Sequence, residues 1–203
     1  MDAESGRRYA DRYPDFRALA AKEAEGTDYR ISVVERKRSR VAVIAPHGGS
    51  IERRTSAIAR AIAGDDFKLY LFEGLDESGS YEVLHITSHR FDEPRCLRLL
   101  EPCSHVLAVH GCGGDEDLVM LGGLDRELIT QIAAALEPLD VGVSTDRHPY
   151  PGTHERNICN RGKERRGVQI ELSDALRGSP RELGVVAAIR GVLAGADAAS
   201  HAG

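Results

Sequence analysis

Two apolar runs that end in histidine and glycine constrain this chain more than any other feature. VAVIAP leads into His47-Gly48-Gly49, and VLAV leads into His110-Gly111. Continuous apolar runs rich in β-branched residues read as strands covered on both faces, as in a parallel sheet with helices on either side. In open sheets of that kind, ligands bind beyond the carboxyl ends of the strands. The first residue past each strand therefore presents its side chain where chemistry is done. The glycines let other backbone approach closely.

The rest of the chain follows the same architecture. YRISVVER (29–36) alternates apolar and polar residues. FKLYLFEG (67–74), EVLHITS (82–88), HVLAVHG (105–111), VGVST (141–145) and GVQIELS (167–173) also read as strands. Ile51, Thr55, Ile58 and Ile62 fall at helical spacing, and Gly64 closes that helix. Further helices are expected over 94–100, from Leu124 to about Leu136, and from Pro180 to about Leu193. Strands alternating with helices imply an α/β fold. The expectation is a single three-layer α/β/α domain around a mixed sheet, the mixing supplied by two strands within 67–88. A length of 203 residues suits one domain. The first 28 residues, with a weak helix over 16–24, are expected at the periphery, and 196–203 are expected to fray. The polar stretch 146–166 is too long for a plain connection and reads as a functional loop.

Composition narrows the partners. A formal charge of −5 argues against a broad nucleic-acid face. No run of 18 apolar residues and no apolar leader is visible, so the expectation is a cytoplasmic monomer without a membrane partner. Cys96, Cys103, Cys112 and Cys159 lack CxxC spacing and read as reduced thiols. With no Trp and 5% aromatic residues the core must be aliphatic. The surplus residue type is His, of which there are eight.

Glu52 follows His47 by five residues, at the start of a helix. It serves there either as a partner of the helix dipole or as the carboxylate of a His47/Glu52/His110 set. Two imidazoles and one carboxylate bind zinc and leave one position open for catalysis. In GVQIELS, Glu171 shares a face with Gln169 and Ser173. A mid-strand carboxylate there is a general base, a solvated group, or the partner of an arginine from 161–166. His85 reads as a core or site-supporting residue, His89 as a contact of substrate or of a metal ligand, and His105 as structural. His148 and His154 read as lid or surface residues. Cys112 fits a small buried residue better than a ligand. The Lys163-Glu164-Arg165-Arg166 cluster, preceded by Arg161, is a solvated face or a hold for an anionic substrate. APHGGS matches neither GxxxxGK[ST] nor GxGxxG, which disfavours a nucleotide.

Several segments together resemble the poly-γ-glutamate hydrolase family, first associated with bacteriophages. They are VAVIAPHGGSIERRTSAIARAIAG, LYLFEG, LHITSHRFDEP, VLAVHGCGG, MLGGLD, GTHERNICNRGK and GVQIELS, spread over residues 29–177. The resemblance implies a fold related to zinc carboxypeptidases and a zinc-dependent amidase acting on γ-glutamyl linkages. It implies Zn²⁺ ligation by His47, Glu52 and His110, and Glu171 as general base. It makes Asn157, Asn160 and Arg161 substrate-pocket residues; apart from the resemblance, Arg161 is the expected oxyanion partner and His89 an expected substrate contact. Ser50 and Arg53-Arg54, which flank Glu52, depart from the family pattern. The expected partner is an anionic γ-glutamyl substrate, polymeric or small. The alternatives are a zinc deacylase on small N-acyl amino acids and a non-catalytic metal- or anion-binding module.

Overall fold

A computed structural model describes residues 10–76 and 79–202. Seven strands form one sheet: β1 (Tyr29–Val34), β2 (Val41–Gly49), β3 (Lys68–Gly74), β4 (His105–Cys112), β5 (Leu118–Gly123), β6 (Gly142–Ser144) and β7 (Val168–Ser173), in the order β1-β3-β2-β4-β7-β5-β6. β3, β2, β4 and β7 run parallel at its centre, and β1 and β5 flank them antiparallel. The helices are α1 (Phe16–Ala20), α2 (Thr55–Ala63), α3 (Ser80–Leu84), α4 (Pro94–Leu100), α5 (Arg126–Leu136) and α6 (Glu182–Ala202).

Strand periodicity divides the core into two layers, one aliphatic apart from Phe67 and one that holds Tyr13, Tyr29, Tyr70, Phe72 and Phe91, so the core is not the wholly aliphatic one expected. Val41, Val43 and Ala45 of β2 pack with Ile58 and Ile62 of α2, Ile129 and Ile132 of α5, and Ile189 and Leu193 of α6. Ala42 and Ile44 face the other way, onto Leu84, Phe91, Leu99, Leu100 and Ile158. The sheet thus lies between two packed layers, as expected for an α/β sandwich.

Several local expectations are corrected. Residues 82–88 are not a strand: α3 ends at Leu84 and the chain then crosses the sheet's carboxyl edge. β3 already has β1 and β2 as neighbours, so no ladder is left for this segment. The mixing comes instead from β1 and from β5, a strand the sequence reading omits. The N-terminal segment is not wholly peripheral, because Tyr13 and Leu19 are buried in the second layer. The tail continues α6 to Ala202. Asp197 Oδ1 accepts from Arg40 N at 2.7 Å, and Ser200 Oγ lies 3.3 Å from His105 Nε2. Residues 182–201 are long and apolar enough to cross a bilayer by length and composition, although Val185, Val186, Ile189 and Leu193 are buried in the core.

Candidate active site

The carboxyl ends of β2, β4 and β7 converge on one cavity of about 560 Å³. β2 loses regular register between Ala45 and Gly48, which turns His47 out of the ladder. The backbone then doubles back: Glu52 N donates to His47 O at 3.0 Å, and Thr55 Oγ1 donates to Glu52 O at 2.7 Å. Gly49 permits this turn. Its φ is +65°, and a Cβ there would lie 2.3 Å from Gly74 O.

The turn brings His47 and Glu52 to His110. Glu52 Oε1 lies 3.0 Å from His47 Nδ1, and Oε2 lies 3.5 Å from His110 Nδ1. The two Nδ1 atoms are 3.1 Å apart. His47 Nε2 sits 2.8 Å from Ile86 O, an acceptor, so the neutral ring carries its proton on Nε2 and a lone pair on Nδ1. His110 Nε2 faces Ser88 Oγ at 3.4 Å. Two buried Nδ1 atoms and a carboxylate therefore face one another, and they need a proton or a cation between them. The donor set, with outer hydrogen bonds fixing ring orientation, fits zinc.

His85 extends the cluster. Its ligand atoms and those of His47 and Glu52 lie within 4.8 Å of one another. His85 Nδ1 lies 3.0 Å from Asp11 Oδ1, and Thr87 N donates to Asp11 Oδ2 at 2.9 Å. The ring packs on His47 at a centroid distance of 4.2 Å. Asp11 was outside every sequence motif, and only this fold brings it here.

Glu171 pairs with His110 in the β4–β7 ladder and is 4% exposed. Burial and the nearby Glu52 charge push its pKa well above the usual carboxylate range. Burial would also raise Glu52, but His47 and His110 overcome it and hold that carboxylate below its usual range. The two acids are thus driven apart, one toward the protonated form and one toward the ionised form. Gln169 Nε2 donates to Glu171 Oε1 at 2.9 Å, and Asn157 Nδ2 donates to Gln169 Oε1 at 2.8 Å. The sequence places Gln169 only as a neighbour of Glu171 on the strand face, and the fold makes it the link between Asn157 and Glu171.

The remaining expected residues divide. Asn157 and His89 line the cavity, and His89 stacks on His154 at 4.9 Å. Asn160 does not line it. Its Oδ1 accepts from Leu124 N and Gly167 N, and its Nδ2 donates to Gly152 O and His154 O. That amide is committed to holding the loop. Arg161 is also placed elsewhere, in a separate groove with Arg98 and Glu101, so it is not positioned for an oxyanion in this cavity. Among the described residues no Lys or Arg lines the cavity. Cys112 is buried, and burial together with Glu171 pushes its thiol up to about 12, away from the thiolate a metal ligand requires.

Fold and site together define an α/β protein with a buried His/Glu cluster beside a carboxylate at the carboxyl edge of its sheet, a donor set suited to hydrolysis. Residues 13–180 match the family model for poly-gamma-glutamate hydrolase, and the chain belongs to that family. The UPF0714 protein YndL of Bacillus subtilis (strain 168) is 38% identical over 173 residues, covering 83% of this chain and 66% of YndL. The chain thus spans about two thirds of that relative's length. A solved bacteriophage poly-gamma-glutamate hydrolase superposes with a TM-score of 0.86 at 30% identity, over 92% of this chain and 98% of that one. A YndL structure described as zinc-free gives 0.84 at 30% identity, over 92% and 99%. N-formylglutamate amidohydrolase from Ralstonia eutropha shares the fold alone, at 13% identity and a TM-score of 0.56, over 85% and 98%.

Proposed function

We propose that this protein is a zinc-dependent amidohydrolase that cleaves γ-glutamyl amide bonds of poly-γ-glutamate or a closely related anionic substrate. The observation that carries the reading is the convergence of His47 Nδ1, His110 Nδ1 and Glu52 in one cavity with the buried Glu171. His47, Glu52 and His110 hold the metal, and His85 adjoins them. Zinc held there supplies Lewis acidity toward a carbonyl and toward water. The names of the phage enzyme and of the zinc-free YndL structure support both substrate and metal.

Glu171 takes a proton from the attacking water and returns it to the leaving amine. Its burial suits that task, because a carboxyl whose pKa is raised toward neutrality both accepts and donates. Gln169 and Asn157 hold its Oε1 in place. His89 and His154 line the same cavity and would meet a substrate carboxylate there.

Glu171→Gln removes the base and keeps the shape. Hydrolysis of γ-glutamyl substrates should fall at least about 100-fold, the lower range of a general-base contribution. Metal analysis should still find zinc in the variant. Turnover near the wild-type rate would remove Glu171 from this role, and wild-type protein active without metal would end the zinc reading.

A further inference from the structure

The catalytic cavity has no Lys or Arg among its described lining residues, yet the proposed substrate is a polyanion. The cations lie outside it. A second groove of about 470 Å³ is lined by Arg98, Arg161, Lys163 and Arg165, against one carboxylate, Glu101. Among the described residues Arg98, Arg161 and Arg165 have no carboxylate at ion-pair distance. Lys163 pairs only with its neighbour Glu164, at 3.7 Å between two exposed groups. Such surface pairs contribute little and give way to a better partner. In a chain of formal charge −5 this concentration of unpaired guanidinium groups is a local reversal of sign.

The groove is tied to the catalytic cavity by one short turn. Asn157 lines the cavity and caps the 3-10 turn Ile158–Arg161, whose last residue lines the groove. Lys163 N donates to Cys103 O at 2.8 Å, and Gly162 packs on Cys103 and Val106, at the amino end of β4. His110 lies four residues further along β4, about 13 Å at strand rise. An extended γ-linked glutamyl repeat has five chain bonds and spans about 6 Å. That line along β4 runs inside a buried strand, so a chain joining the two sites passes over the surface and needs at least about two repeats.

We propose that the Arg98/Arg161/Lys163/Arg165 groove is a binding site for the carboxylates of a polyanionic γ-glutamyl chain, remote from the bond being cut. It favours long polymer over short amides by adding contacts that a short substrate cannot reach. This rests on the γ-glutamyl hydrolase reading for its ligand, and a binding measurement without turnover separates the two.

The experiment compares wild type with Arg98→Gln/Lys163→Gln/Arg165→Asn, all at exposed positions. With long poly-γ-glutamate at low salt, KM should rise at least about fivefold with kcat unchanged, and added salt should narrow the gap. With γ-glutamyl substrates of two residues, kcat/KM should stay within about twofold. An equal KM for polymer, or a loss shared by short and long substrates, would overturn the proposal. Binding of labelled poly-γ-glutamate to the Glu171→Gln protein reads the groove without turnover, so a failed hydrolase reading stays distinguishable. Retention of that polymer should weaken at least fivefold in the combined variant. Double-stranded DNA or polyphosphate bound as tightly as poly-γ-glutamate would mark a generic anion surface and also overturn it.

Discussion

Gln169 is the residue on which the chemistry of Glu171 turns. Its amide N–H stabilises the ionised carboxylate and so opposes the upward push from burial and from Glu52. A hydrogen bond to a charged group contributes about 1.5–3 kcal/mol, or about one to two pH units. Gln169→Met keeps the volume and removes the donor. The base then ionises at higher pH, so the acidic limb of kcat/KM moves up by about one unit or more. Rate at the old optimum falls with it. A pH–rate profile reads this directly, and an unshifted acidic limb would mean that the amide only fills space. Part of this was legible in the sequence, because period 2 puts Gln169 and Glu171 on one face of GVQIELS. Arg161 shows where such reading stops. Asn157 caps the 3-10 turn Ile158–Arg161 at the cavity, and Arg161 ends that turn in the groove. Adjacency in NICNRG says nothing of that separation.

At the level of elements, the sequence reading succeeded where burial is two-sided and failed where pairing is long-range. β2 and β4 are continuous apolar runs whose ends carry His47 and His110, and β7 alternates so that Glu171 stands mid-strand on its polar face, as expected. EVLHITS alternates like a strand, but the sheet position it would need is taken by β1 from far upstream. β5 was missed because Gly122 and Gly123 resemble a turn. They are strand residues over which other backbone passes, since a Cβ on Gly122 would lie 2.6 Å from the carbonyls of Tyr150 and Pro151. The end of α6 gives the sharpest test at this scale. Truncation after Gly195 removes Asp197, which accepts from Arg40 N, and Ser200, which lies against His105. It also removes Ala196 from the edge of the aliphatic layer. Two hydrogen bonds and that contact make a loss of about 2 kcal/mol. Urea unfolding should show a lower midpoint at unchanged slope, whereas a frayed tail would leave the midpoint where it is.

Across the whole molecule, the central cluster is held together by groups that repel or compete unless something positive lies among them. His47 Nδ1 and His110 Nδ1 are 3.1 Å apart, and both face Glu52. The elements that bring them there come from both sides of the sheet: the turn before α2, the end of β4, and the segment after α3 that supplies Ile86 O and Ser88 Oγ. A metal that binds only this assembled set stabilises the fold by RT ln(1 + [L]/Kd), about 2.7 kcal/mol at a free concentration 100 times Kd. For a domain of about 200 residues, 1 kcal/mol moves Tm by about 2–4 °C. Chelation should therefore lower Tm by about 5–10 °C, and zinc should restore it. Glu52→Gln removes the charge that draws the cation, so its Tm should respond far less to either treatment. The same scans on Gln169→Met should keep the full metal response, because that residue touches Glu171 and no member of the cluster. Equal Tm values with and without chelator in the wild type would instead mean that a proton bridges the two rings and that the cluster is built for the fold alone.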